Sequence, residues 1–159
     1  MVGRLFDREV TISRLQGRRP MKPDVSKRTG RPFTGRLVAL IDSRSSSAAE
    51  NLARVLQLEQ RGVVVGDRSA GALRQSRFFL GKIGADRVVL FGANITEADV
   101  IMSDGKSLEY VGVMPDELVL PTAADLAQSR DPVLARACVI LGVNLDPVQA
   151  GKLFSIEWK

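Results

Sequence analysis

The chain has 159 residues, 45% of them apolar and 26% charged, the balance of a single globular domain rather than a disordered or fibrous chain. No apolar run approaches the ~20 residues that a membrane-spanning helix needs, and a single cysteine, Cys138, excludes an internal disulfide. The net charge of +5 is uneven: residues 1–36 carry ten Lys/Arg against three Asp/Glu, and the remainder sums to −2.

A basic arm of this kind can meet nucleic acid, an acidic partner or a membrane surface. Its only aromatic residues are Phe6 and Phe33, so stacking on bases is poorly supported and nucleic acid is not the expected partner. Along the chain, Glu9–Leu15 alternates and predicts a strand. Gln16–Gly35, rich in Gly, Pro and cations, predicts a long mobile loop. These features divide the chain into a basic strand-and-loop segment, 1–35, and a body, 36–159.

Arg36-Leu-Val-Ala-Leu-Ile-Asp42 is a short β-rich apolar run that predicts a buried strand. An amphipathic helix follows, with Ala49, Leu52, Ala53 and Leu56 on one face and Gly62 as its stop. Val63–Val65 returns as a second buried strand, and a strand–helix–strand unit favours a parallel pair with a right-handed crossover. The glycines of Gly66-Asp-Arg-Ser-Ala-Gly-Ala72 allow close backbone approach, but the Gly-Lys of a phosphate-binding loop is missing. Further strands are expected at Ser76–Leu80, Arg87–Phe91, Val100–Met102, Leu108–Tyr110 and Leu118–Leu120, with turns at Asp104-Gly105 and Gly112–Asp116. Thr122, Asp131-Pro132 and Asp146-Pro147 each open a helix. Phe154, Ile156 and Trp158 are expected to dock on the body, and Cys138 to pack. The fold class is α/β with a central mixed sheet.

Ser47 stands where the first strand turns into the helix, and Ser47-Ala-Ala-Glu50 fits a capping box. Its hydroxyl can simply cap the helix, a contribution of about 1 kcal/mol. Alternatively it is a nucleophile, with the unpaired N–H groups of the helix start stabilising an oxyanion.

Three blocks in order carry a resemblance: an apolar strand into Ser45-Ser-Ser-Ala-Ala-Glu50, then Arg61-Gly-Val-Val-Val-Gly66 with Ser69-Ala-Gly71, then Asp104-Gly-Lys-Ser-Leu-Glu-Tyr-Val-Gly-Val-Met-Pro-Asp116. Over roughly residues 33–121 they resemble the C-terminal-processing (tail-specific) serine peptidases, tricorn-core-like branch. That resemblance implies a Clp-protease/crotonase-type fold, an extended polypeptide substrate and neither metal nor cofactor. Carried over by position, it makes Ser47 the nucleophile, with Ser45 and Ser46 as register alternatives. It makes the Ala48 N–H one oxyanion donor and Glu109 a carboxylate orienting the catalytic set. Pro115 and Asp116 read as structural.

The general base is the difficulty, because a serine hydroxyl is a poor nucleophile without one. Ala72 stands where the tail-specific branch has its lysine, and Arg74 cannot substitute because a guanidinium stays protonated. The tricorn-like branch uses a histidine, and this chain has none. Lys82 and Lys106 fall on expected surface turns and read as solvated. The expectation is therefore the C-terminal part of a longer peptidase, inactive alone, whose upstream segment supplies the base and whose parent is extracytoplasmic. The alternative is a non-catalytic binding or scaffold domain of the same fold.

Overall fold

The computed structural model describes residues 1–154. After a short 3-10 turn at Val2–Arg4, the elements are β1 (Val10–Gly17), β2 (Asp24–Ser26), β3 (Val38–Ile41), α1 (Ala48–Leu58), β4 (Val63–Gly66), β5 (Arg74–Ile83), β6 (Val89–Met102), β7 (Glu117–Leu118), α2 (Ala123–Ala127), α3 (Pro132–Ile140) and α4 (Pro147–Leu153). The α/β class holds, but the strands form two sheets instead of one mixed sheet. One is antiparallel in the order β2-β1-β6-β5 and the other is parallel in the order β3-β4-β7. Hairpin-linked β5 and β6 pair antiparallel along ten positions, whereas the α1 crossover makes β3 and β4 parallel, as expected. One apolar core joins the two sheets: Val10, Val100 and Met102 from the first meet Ile41 and Val64 from the second, with Ala53 and Val55 of α1.

Several local expectations need correction. The 16–35 stretch is not all loop, since β2 pairs antiparallel with β1 and Pro20 bridges to Gln16. α1 ends at Leu58 and is stopped by Gln60, whose φ of 50° is left-handed, with the Arg61 N–H donating back to the Leu56 carbonyl at 2.9 Å. Gly62 has another role: a Cβ there would sit 2.8 Å from the Leu37 carbonyl oxygen. Leu108–Tyr110 is a turn, closed by Gly112 N–H donating to the Leu108 carbonyl at 2.8 Å, and not a strand. Lys82 lies within β5, exposed, rather than on a turn.

The Asp104-Gly105 turn is present, with Gly105 at φ 80°. The three tail helices begin where their caps predict: Thr122, Asp131 and Asp146 accept from the Asp125, Leu134 and Gln149 N–H groups. Cys138 is half-buried in α3. Phe154 does not dock, being 70% exposed, and Ile156 and Trp158 lie outside the described residues. Among the described residues no helix is long and apolar enough to cross a membrane.

Candidate active site

Ser47 and Glu50 form a capping box at the start of α1, and the Glu50 N–H also donates to the Ser47 carbonyl, at 3.0 Å. Within the box the Ser47 N–H donates to the Glu50 carboxylate at 3.0 Å. Ser47 itself sits at φ 56°, ψ −120°, a region that L-residues rarely adopt and that costs on the order of 1–3 kcal/mol. This strain holds an exposed serine at the carboxyl end of a parallel strand, where open α/β sheets place their sites. Among the described residues no hydrogen-bond partner takes the Ala48 N–H.

The Ser47 turn is tied to Glu50. Its side chain is fully buried, although it belongs to the same helical stripe as Ala53 and Leu56. A buried carboxylate is tolerated only when its lone pairs are met, and here four donors meet them. Oε1 accepts from the Ser69 hydroxyl at 2.6 Å and the Gly71 N–H at 2.7 Å, and Oε2 from the Ser47 and Ala72 N–H groups at 3.0 Å each. Ser69 Oγ in turn accepts the Val113 N–H at 2.6 Å. The three sequence blocks, far apart in the chain, thus converge on one carboxylate.

The 69–72 loop runs directly beside the serine turn: Ala70 N–H donates to the Ser45 carbonyl at 2.9 Å, and Ser47 N–H also donates to the Ala72 carbonyl at 3.1 Å. Ser45 is committed elsewhere, its hydroxyl donating to Asp42 Oδ1 at 3.0 Å and accepting the Asp42 N–H at 3.1 Å. Ser46 is exposed, and its carbonyl accepts the Ala49 N–H at 3.2 Å.

Glu109 is not the solvated carboxylate that a turn suggests; its side chain is 16% exposed. It accepts the Leu73 N–H at 2.7 Å and pairs with Arg74 at 3.0 Å, and no hydrogen bond joins it to Ser47. The Ala72–Leu73 backbone lies between them. Arg74 also reaches Asp99 at 3.7 Å and lies 5.5 Å from the Tyr110 ring centre, so it is a structural cation. Asp116 likewise braces the frame, accepting Val64 N–H at 2.8 Å and the Gln57 amide at 2.9 Å. Lys106 is exposed. No group of three His, Cys, Asp or Glu is placed to hold a metal ion among the described residues.

A cavity of about 340 Å³ opens at the same ends of β3 and β4, lined among others by Leu40, Asp42, Ser45, Asp67, Leu126 and Val133. Ser47 borders it only through Ser45, two residues away. The profile of peptidase family S41 matches residues 1–119, three quarters of the chain. The chain belongs to peptidase family S41. Solved structures share the S41 fold. A candidate peptidase from Parabacteroides merdae superposes with a TM-score of 0.68 at 19% identity, covering 87% of this chain and 45% of the other. The photosystem II D1 C-terminal processing protease gives 0.60 at 21% identity, covering 94% and 35%. The tricorn protease gives 0.59 at 18% identity, covering 88% and 13%. This S41 chain therefore spans less than half the length of each of these structures.

Sequence reasoning missed Glu50 and Ser69. The signal was present, because Glu50 lies three residues before Ala53 on the apolar face, where a charge demands buried partners.

Proposed function

We propose that this chain carries the nucleophile side of a serine-type endopeptidase site, of the tail-specific, tricorn-like branch and the Clp-protease/crotonase fold type. Ser47 attacks the carbonyl of an extended polypeptide, its proton passing to a general base. The oxyanion of the tetrahedral intermediate takes the Ala48 N–H, and collapse expels the amine to leave an acyl-enzyme that water hydrolyses. Glu109 orients the base set from behind the Ala72–Leu73 backbone. The base comes from residues outside this chain, in an upstream segment of the same domain, because Ala72 has no titratable side chain and the sequence holds no histidine. The parent protein works outside the cytoplasm.

The observation that carries this reading is the strained and exposed Ser47. A serine kept only for capping would hold an extended backbone, as Thr122 does at φ −79°, and would not need φ 56°. The competing reading, a binding or scaffold domain that has lost its chemistry, draws on the absence of a base.

Fluorophosphonate labelling with the upstream segment of the encoding gene restored separates the two readings. Labelling that Ser47→Ala abolishes supports the peptidase. No labelling in the restored protein, with its fold intact, leaves the scaffold reading.

A further inference from the structure

The β1–β2 hairpin turns at residues 17–23 and lays its tip against β6. Gly17 allows the approach, since a Cβ there would sit 2.7 Å from the Glu97 carbonyl oxygen and 3.1 Å from the Met21 sulfur. Gln16 and Pro20 bridge across the tip and fix its shape. Between this tip and strands β5 and β6 opens a cavity of about 550 Å³, lined among others by Arg18, Arg19, Met21, Arg77, Ile95 and Glu97. Three cations line it against one carboxylate, and Glu97 is already paired with Arg77 at 3.1 Å. Among the described residues no ion pair includes Arg18 or Arg19. A neighbouring cavity, also of about 550 Å³, shares both and adds Arg14. Residues 10–23 carry four Lys/Arg and no Asp/Glu, so much of the excess charge of the N-terminal arm is concentrated here.

We infer that this cavity is an anion-binding subsite that takes the acidic side chains of a polypeptide. A guanidinium presents a planar fork of donors that matches a carboxylate bidentately. Like charges gathered without counter-charges repel, and a bound carboxylate removes that repulsion. Met21 and Ile95 in the wall, with the methylene stems of the arginines, exclude part of the water and so strengthen each ion pair.

The choice of a polypeptide rests on the peptidase reading above and on the surroundings of the cavity. No aromatic side chain is among the residues that line it, so bases would find nothing there to stack on. Glu97 stands within it and opposes a continuous row of phosphates. β5 is the outermost strand of its sheet, and beyond Arg77 the β5–β6 ribbon stands bare, with Phe78 64% and Leu80 70% exposed. An extended peptide pairs along such an edge, whereas a nucleic acid does not. Arg77 lies five residues from Ala72, whose carbonyl accepts the Ser47 N–H, so at most about 18 Å of backbone separates Arg77 from the serine turn. A substrate spanning that interval carries its acidic residues roughly five positions from the bond that Ser47 attacks.

Fluorescence anisotropy on this chain tests the subsite, with a short fluorescein-labelled peptide of alternating Glu and Ala as probe and circular dichroism to check each fold. Saturable binding is expected, weakening with added salt. Its affinity falls at least about tenfold in Arg18→Gln/Arg19→Gln, a change at two exposed turn residues. Lys27→Gln/Arg31→Gln removes the same charge beyond the far end of β2, several screening lengths away, and leaves the affinity within about twofold. The same peptide with Gln in place of Glu does not bind. Absence of saturable binding by the Glu peptide overturns the proposal, as does equal weakening by the two double variants, which makes the effect one of net charge. Tighter binding of an oligothymidylate of equal charge overturns it in favour of nucleic acid. None of these readouts uses the chemistry of Ser47, so this subsite and the peptidase reading fail separately, the latter by fluorophosphonate labelling.

Discussion

The buried Glu50 carboxylate accepts the backbone N–H of Ser47 at 3.0 Å, tying a charge inside the protein to the exposed residue proposed as nucleophile. Through its other oxygen the same carboxylate holds Ser69 and Gly71, so the serine turn and the loop beside it are fixed as one unit. In Glu50→Gln the amide nitrogen must face at least one backbone N–H wherever it points, Gly71 on one side or Ser47 and Ala72 on the other. The expected loss is about 3 kcal/mol of unfolding free energy, from unmet buried donors and a lost charged acceptor. Urea denaturation measures it, and a change below about 1 kcal/mol would show that the carboxylate is not the organiser.

Ser47 offers a test of strain that is independent of chemistry. At φ 56°, ψ −120°, glycine is at ease whereas alanine keeps the penalty. Ser47→Gly is therefore expected to be about 1 kcal/mol more stable than Ser47→Ala, after the greater flexibility of unfolded glycine is allowed for. Equal stabilities in chemical denaturation would mean that the turn relaxes and holds no strain.

Two glycines with positive φ should behave oppositely. A Cβ at Gly66 (φ 130°) would sit 1.9 Å from the Ile41 carbonyl oxygen, while one at Gly30 (φ 68°) meets nothing within 4 Å. Gly66→Ala is expected to lose more than about 3 kcal/mol by forcing β3 and β4 apart. Gly30→Ala loses about 1 kcal/mol, for the left-handed backbone alone. Thermal melts of the two variants decide it, and similar melting temperatures would contradict the close strand contact.

Asp104 carries a pH signature. Burial pushes its carboxyl up, but the Arg54 hydrogen bond at 2.6 Å, the Lys106 N–H and the two positive charges hold it below its ordinary value of 3.8. A depressed folded value means that the stabilisation is present above pH 3.8 and disappears as pH falls through the lower folded value. Asp104→Asn should therefore be less stable than the parent at neutral pH, with the gap closing in strong acid. A gap that does not narrow as the pH falls below the ordinary value of 3.8 would remove the ion pair from the account.

Much of the local structure was legible because it depends on neighbours in the chain. The Val38–Ile41 strand, the Ser47 boundary, the parallel return at Val63 and the three tail caps each follow from periodicity or from a side chain reaching a backbone group three residues away. The stop of α1 was misplaced because glycine is the usual left-handed residue, yet Gln60 took that conformation and Gly62 was needed for packing against Leu37.

The sequence by itself determined the family, the α/β class and the position of Ser47, since ordered blocks and apolar periods are written along the chain. Tertiary structure alone decided that the strands split into two sheets, that Glu50 is a buried hub as well as half of a cap, and that the β5–β6 ribbon stands bare. The physical reason is that sheet partners, the donors around a buried charge and the cover over an apolar face are all supplied by residues distant in sequence. Their proximity exists only once the chain has folded.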